Sequence, residues 1–175
     1  MKSVRVIAAI LYYLSRVAAF IFLAIIFYAT IVVLAYYAGA DGVPVEVSNQ
    51  NAFQIFYPFT RMPLLLGEYT ASYIVTYFST MAFYGVFLLL LSGVFQAFKG
   101  PRLFTQKRVL RLSRFYVTNL LVPFLFLLLI VVFRDQASDF VRIIFLHLVI
   151  GVFAFFMAAI FKQGLVLQEE QDLIF

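Results

Sequence analysis

The chain has 175 residues, of which 65% are hydrophobic and only 12% are charged, and its mean hydropathy is +1.04. Soluble domains are roughly 45–50% apolar and about 25% charged, so the composition excludes an ordinary water-soluble fold and predicts a protein embedded in a bilayer. In such a chain the net charge of +5 indicates contact with anionic lipid headgroups rather than direct binding to nucleic acid, and the lack of cysteine excludes disulfides and thiolate metal sites.

The first apolar stretch, Val17–Ala38, is long enough to cross a membrane. As a helix it reaches roughly 33 Å, against a hydrocarbon core of ~30 Å. Residues 4–14 are also apolar, and we interpret them as the same helix extended to the interface. A cleaved signal peptide is the alternative, because Ala38-Gly39-Ala40 resembles a small-residue cleavage site. The apolar region is much longer than a signal core of about 7–15 residues, which favours an uncleaved span.

Residues 39–72 form the longest polar connection, an outer loop that contains the turn signal Asp41-Gly42 and three prolines. Val43–Val47 alternates weakly between apolar and polar residues, as a short strand would. Many apolar side chains remain in this loop, and a free linker would expose them to water. We therefore expect the loop to fold back onto the mouth of the helices or to enter the membrane interface.

The second span, Tyr73–Phe98, ends at Lys99-Gly100-Pro101-Arg102, where glycine and proline stop a helix. A basic segment, Phe104–Arg114, completes the cytoplasmic loop 99–114, with Thr105 at its N-cap position. Its cations recur at helical spacing on one face and its apolar residues on another, which predicts a short amphipathic helix at the membrane surface. The cations of this basic stripe are Lys107, Arg108, Arg111 and Arg114.

The third span covers Phe115–Phe133 and the fourth covers Val141–Phe161. Pro123 removes one backbone hydrogen bond inside the third span and predicts a kink. Asn119 lies in the same span, where its side chain can bond to another helix. His147, the single histidine, lies in the fourth. An ionisable group within a membrane is a functional candidate, but without a carboxylate relay we favour a structural hydrogen bond to a neighbouring helix.

The distribution of cations predicts the orientation of the spans. With both termini and the tail 162–175 in the cytoplasm, Arg61, Arg134 and Arg142 lie outside and the other ten of the 13 Lys and Arg residues lie inside. Four spans with short connections predict a single domain, residues 1–175, folded as an all-α membrane protein, an antiparallel bundle of four transmembrane helices. Two small-residue stripes serve intramolecular packing, which we favour, or a homo-oligomer interface. These are Ser79, Ala82 and Gly85, and Gly151, Ala154 and Ala158.

The basic stripe orients the protein and binds anionic lipid headgroups, and it also suits an acidic partner. One acidic segment lies in the same compartment, because Glu169, Glu170 and Asp172 follow the last span. We predict that the tail folds against the stripe or competes with a partner for it. The sequence contains no nucleophile constellation, phosphate loop or metal-ligand spacing, so we expect no enzyme activity, no metal and no cofactor.

Two cytoplasmic segments resemble a family of bacterial four-span membrane proteins known as domain of unknown function 2975. Gly100–Thr105, with the basic run that follows it, is similar to the cytoplasmic loop of that family, and the tail is similar to its closing motif. The tail-motif residues are Gly164, Gln168, Glu170, Asp172 and Leu173. The resemblance implies a protein of the bacterial inner membrane that holds or senses a small helix-turn-helix regulator.

The sequence as a whole favours a non-enzymatic regulatory or interaction platform on the cytoplasmic face, formed by the basic stripe and the tail motif. One alternative is a transporter or channel component for a small or lipid-like solute, with Asn119 and His147 as polar contacts. Another is a structural subunit of a larger membrane complex. Transport has little support, since the predicted midplane is nearly uncharged and only Pro123 interrupts a helix.

Overall fold

The computed structural model of the protein describes residues 2–48, 51–100, 104–133 and 137–172, without the side chains of residues 137–139. This part of the chain contains four long helices and three short strands. The helices are α1 (Lys2–Tyr37), α2 (Ala71–Lys99), α3 (Gln106–Val132) and α4 (Ala137–Asp172). The strands are β1 (Val45–Val47), β2 (Ala52–Phe56) and β3 (Pro63–Glu68).

Each of these helices is long and apolar enough to cross a bilayer. The shortest, α3, has 27 residues. Its length of about 40 Å exceeds the hydrocarbon core of ~30 Å. A helix bonds its backbone N–H and C=O groups internally, which is the requirement for crossing lipid. The prediction of a multi-pass, mainly helical membrane protein with four spans is therefore confirmed.

The helices extend beyond the predicted spans. The basic segment is not a separate short helix, because α3 begins at Gln106 and continues without a break through Pro123 to Val132. At the other end of the chain, α4 continues past Phe161 to Asp172, so the described part of the tail is helical. Both changes attach the predicted cytoplasmic segments rigidly to membrane spans.

The chain forms two compact units, and their boundaries fall within α1 and α2. Unit 1 comprises Met1–Ala19 and Phe87–Phe175, and unit 2 comprises Phe20–Val86. Each unit therefore contains helical segments from more than one span.

Unit 2 contains a three-stranded antiparallel sheet, in the order β1-β2-β3, which the all-α prediction omits. The register pairs Val45 with Ile55 and Gln54 with Leu66. Successive side chains of a strand point to opposite faces, so β2 buries Phe53 and Ile55 and leaves Gln54 exposed. Of the predicted loop strand Val43–Val47, the last three residues form β1.

The sheet packs on helical segments of the same unit. One buried cluster contains Phe53, Ile55 and Leu65 of the sheet, Ala29 and Val32 of α1, and Ile74 of α2. The Tyr28 hydroxyl also donates a hydrogen bond of 2.9 Å to the Phe56 carbonyl oxygen. The loop thus folds onto the helices, which was the first of its two expected arrangements. Removing α1 as a signal peptide would expose this cluster, so the packing favours an uncleaved span.

In unit 1, α3 and α4 lie side by side. Aromatic contacts between them pair Tyr116 with Phe155 and Phe126 with Phe140, and Phe104, just before α3, contacts Phe161 of α4. Glycine allows the close approach, since a Cβ atom at Gly151 would lie 2.8 Å from the Leu120 side chain. Gly85 of unit 2 contacts Leu23 in the same way, at 2.7 Å. At these two positions the small-residue stripes serve intramolecular packing.

Candidate functional site

Two polar side chains form a buried pair between α3 and α4 of unit 1. Asn119 Oδ1 lies 2.7 Å from His147 Nδ1, and Asn119 Nδ2 donates to the Phe115 carbonyl oxygen at 2.8 Å. Because the amide nitrogen is bonded to that carbonyl, Oδ1 is the acceptor and the hydrogen of the pair is on Nδ1 of His147. Asn119 is 0% exposed and His147 is 1% exposed. The pair therefore joins the two helices by a hydrogen bond that water does not reach.

Aromatic rings of unit 1 surround this polar pair. The Phe87 ring meets the His147 imidazole edge-on, with centroids 5.2 Å apart, and lies 5.5 Å from the Phe115 ring. The arrangement brings the two predicted intramembrane polar residues together and is consistent with a structural hydrogen bond.

A second polar feature of unit 1 is a cavity of about 450 Å³ between the end of α2 and the start of α3, here called the basic pocket. Its lining residues are Gln96, Lys99, Gly100, Thr105, Lys107, Arg108 and Arg111. Three of the four stripe cations thus line the pocket, whereas Arg114 is exposed and is not among the lining residues. Lys99 is the fourth cation that lines the pocket. From the sequence it was interpreted as part of the signal that ends the second span. Its position next to Gly100, a few residues before the stripe, could have indicated that it lies close to the stripe cations.

Two tyrosines of α1 hold Lys99 in place. The ammonium Nζ donates to the Tyr13 hydroxyl at 3.0 Å and lies 4.4 Å from the centroid of the same ring. It also lies 5.1 Å from the centroid of Tyr12. An ammonium over an aromatic face is stabilised by the ring quadrupole, so Lys99 is positioned even though its remaining N–H groups are available to a ligand.

Arg108 lies against the glycine that ends α2. Its guanidinium packs on Gly100, where a Cβ atom would collide with it. The Nη1 atom is buried without a hydrogen-bond partner in the described part of the chain. The charged groups that act on Arg108 are other cations, Arg111 and Arg5. Like charges repel each other, so the basic pocket has positive charge without a compensating carboxylate among its lining residues.

Thr105 occupies the predicted N-cap position of α3 but does not cap it with its side chain. The backbone is extended there, with φ −145° and ψ 146°, and the side chain makes no capping hydrogen bond. Its carbonyl oxygen accepts from the backbone N–H groups of Arg108 at 2.9 Å and Val109 at 3.1 Å. Thr105 is also one of the residues that line the basic pocket.

The tail motif begins in contact with the residues that precede α3. A Cβ atom at Gly164 would lie 2.6 Å from the Phe104 ring, and that ring meets Phe161 edge-on at 5.5 Å. Glycine at position 164 therefore lets α4 pass close to Phe104. Of the other motif residues, Gln168 is half-buried, Glu170 and Asp172 are exposed, and Leu173 lies outside the described residues.

The predicted folding of the tail against the basic stripe is not observed. Glu169, Glu170 and Asp172 are exposed in the last turns of a continuous helix. Across the described ranges, no ion pair joins them to the stripe cations. A helical tail cannot fold back as a flexible segment would, because its backbone hydrogen bonds fix its direction.

A third feature of unit 1 is an apolar cavity of about 620 Å³ between α2, α3 and α4. Every side chain that lines it is apolar, and Phe98, Leu112 and Ala154 are among them. Phe98 directly precedes Lys99 and Leu112 directly follows Arg111, so neighbouring residues line this cavity and the basic pocket.

A model of the family described as Protein of unknown function (DUF2975) matches residues 49–174, well over half of the chain. The match contains β2, β3 and the three helices that follow them, and with them the basic pocket, the apolar cavity and the tail motif. No curated protein and no solved structure shows significant similarity to the chain.

Proposed function

Because the chain belongs to the DUF2975 family, whose function is unknown, we propose that it is a non-enzymatic interaction platform of the bacterial inner membrane. The basic stripe and the helical tail form the platform, and a soluble regulator binds there. One contact carries the proposal. Gly164 packs against Phe104 and so joins the tail motif to the segment that begins α3. These are the two segments whose sequences resemble family motifs.

The length of α4 supports a surface outside the membrane. Its 36 residues extend about 54 Å, whereas the hydrocarbon core needs ~30 Å. Beyond the predicted fourth span the helix exposes apolar and acidic side chains together. Val166 is 47% exposed and Leu167 is 61% exposed, and Glu169 and Glu170 follow them. An exposed helix of mixed character offers a partner an apolar contact and a charged one.

In the proposed topology both termini are cytoplasmic and the four helices form an antiparallel bundle. The distribution of cations in the sequence supports this orientation. A small helix-turn-helix regulator is the proposed partner, and the protein itself does not contact DNA. Basic residues from α2 and α3 would then face the same compartment as the acidic tail.

Sidedness is tested by single cysteines, which have no background because the natural chain lacks cysteine. Lys107→Cys and Glu170→Cys are expected to resist an impermeant thiol reagent added to intact cells. Glu46→Cys, on the exposed edge of the sheet, is the matched control and is expected to react. The reverse labelling pattern would remove the cytoplasmic platform altogether.

Partner binding is tested by capture of the full chain in mild detergent. Glu169→Lys with Glu170→Lys is expected to abolish recovery of a soluble DNA-binding partner, because it reverses the charge of the exposed tail. Glu46→Lys with Glu68→Lys makes the same change of charge on exposed positions of the sheet and is expected to leave recovery unchanged. Equal recovery from both variants, or equal loss, would contradict the platform.

Transport is the competing function, with Asn119 and His147 as polar contacts for a solute. Its support is weak, because these side chains bond to each other and are buried. Passage of solute into liposomes by the purified protein, lost in His147→Ala, would favour a transporter over a platform. A structural subunit of a larger complex remains the third alternative, and stable copurification with membrane proteins alone would favour it.

A further inference from the structure

We propose that unit 1 binds one anionic phospholipid, with its phosphate in the basic pocket and an acyl chain in the apolar cavity. The inference goes beyond the platform, since binding a lipid requires no protein partner. The proposed ligand site is built from three helices. The basic stripe alone indicates only a general attraction to a charged membrane surface.

The basic pocket has the chemistry that a phosphate group requires. Arg108 and Arg111 present planar N–H donors that match phosphate oxygens. Lys99 and Lys107 add two more cations, and the Thr105 hydroxyl, which makes no capping bond, adds a neutral donor. An anion would neutralise cations that now repel one another.

The first turn of α3 reinforces this preference for an anion. Backbone N–H groups at the start of a helix lack partners within the helix and carry partial positive charge. Thr105 leaves them without a side-chain cap and is itself one of the residues that line the basic pocket. The dipole therefore acts in the same sense as the four cations.

The apolar cavity has the chemistry of a hydrocarbon chain. All of its lining side chains are apolar, and water binds stably only where it has two or more polar partners. Its volume of about 620 Å³ lies in the range of ligand sites, about 300–1,000 Å³. An alkyl chain fills such a space without leaving a polar group unpaired.

The depth of the cavity fits one leaflet. The residues of α2 that line it run from Phe87 to Phe98, a rise of about 16 Å along the helix. This rise is about half of a hydrocarbon core of ~30 Å. Lys99 follows Phe98 directly, so a molecule in the cavity would have its polar end at the basic pocket. A phospholipid satisfies both sites at once, whereas free phosphate fills one of them and a neutral lipid the other.

Native mass spectrometry of the delipidated full chain in detergent tests the site without any soluble partner. Dioleoyl phosphatidylglycerol is expected to bind as a single copy, about tenfold more tightly than dioleoyl phosphatidylcholine. Inorganic phosphate alone is the third probe and is expected to compete only weakly. Equal binding of the two lipids would overturn the assignment of the phosphate site. Tight binding of inorganic phosphate with no lipid preference would identify a free-anion site instead.

Charge removal separates the basic pocket from general attraction. Lys99→Gln with Arg111→Gln is expected to weaken phosphatidylglycerol binding about tenfold. Lys2→Gln with Lys162→Gln removes the same charge from exposed residues that neither line the pocket nor belong to the stripe, and is expected to change affinity less than about twofold. If both pairs weakened binding equally, the lipid would be held by overall charge and the proposal would be wrong.

Filling the cavity tests the position of the acyl chain. Ala154 lines it and is 5% exposed, so Ala154→Leu is expected to weaken lipid binding about fivefold while leaving thermal stability unchanged or raised. Val152→Leu, exposed on the same helix, is the matched control with no expected effect. Unchanged affinity in a folded Ala154→Leu protein would show that the chain lies elsewhere. These lipid-binding measurements use no soluble partner. If the capture experiment recovered no such partner, the platform would be contradicted but the lipid site would not.

Discussion

The two units of the protein bury different chemistry. Among the largest fully buried side chains, those of unit 2 are Phe53 and Ile55, whereas those of unit 1 include Asn119 and His147. The stabilisation from apolar contacts depends on the apolar area that is buried and on the volume of any cavity left behind, so it decreases gradually as a side chain is shortened. A buried hydrogen bond depends on both partners and leaves an unsatisfied group when one is removed. The sheet is therefore a packing element, and the polar features that a ligand or partner would use are in unit 1.

The largest expected effect is at the centre of the sheet. Phe53→Ala is expected to lower the free energy of unfolding by about 3–5 kcal/mol, because it empties a buried site between the sheet and the helices of unit 2. Chemical denaturation in detergent micelles measures the change. Phe59→Ala is the control, because that side chain is fully exposed and its removal is expected to have little effect. Similar losses in both variants would mean that the sheet does not pack as described.

A smaller effect is expected at the polar pair of unit 1. His147→Ala leaves the Oδ1 atom of Asn119 buried without its partner and is expected to lower stability by about 1–3 kcal/mol. A double-mutant cycle with Asn119→Leu is expected to give a coupling energy of about 0.5–2 kcal/mol. The measurement is thermal unfolding, in one detergent, of the natural protein, the two single variants and the double variant. Simple additivity of the two substitutions would mean that the hydrogen bond does not join the helices.

Glycine substitutions test close packing in both units with an effect of about 1 kcal/mol or less. Gly93→Ala is expected to stabilise the protein, because its Cβ atom would make only an ordinary contact of 4.0 Å with Arg111. Gly151→Ala and Gly85→Ala are expected to give no gain or a loss, since each Cβ atom would press on a leucine at 2.8 Å and 2.7 Å. The measurement is the thermal unfolding temperature of the three variants, each compared with that of the natural protein. Equal stabilisation at all three positions would contradict the helix contacts.

The smallest effect is spectroscopic and lies in the loop of unit 2. Hydrogen bonding to Tyr37, followed by partial burial, raises the pKa of Tyr69 to about 12. Folding thus favours the neutral phenol, so any stability it adds is complete below pH 10 and is lost as the pH rises through 12. Phenolate absorbance, compared with that of Tyr69→Phe, locates the midpoint. Tyr37→Phe is expected to move it down, and an unchanged midpoint would exclude Tyr37 as the cause.

Sequence reasoning predicted the four spans because twenty or so consecutive apolar residues have only one stable arrangement in lipid. It predicted a short strand that overlaps β1 but missed β2, β3 and their pairing, since runs of five or six residues with apolar side chains do not distinguish a strand from an irregular loop. For the site, it identified three of the four pocket cations from helical spacing. It missed Lys99, which precedes α3 and reaches the pocket from another helix.

Local composition alone thus determined that the chain enters a membrane, where its helices lie, and which segments are basic or acidic, because hydrophobicity and charge act residue by residue. The tertiary structure decided which of these residues meet. Asn119 and His147 are 28 positions apart, and only the packing of α3 against α4 brings them within 2.7 Å. Likewise, the contact between Gly164 and Phe104 depends on a glycine that admits a ring from another segment. Contacts of this kind arise from shape complementarity between distant parts of the chain, which no local pattern contains.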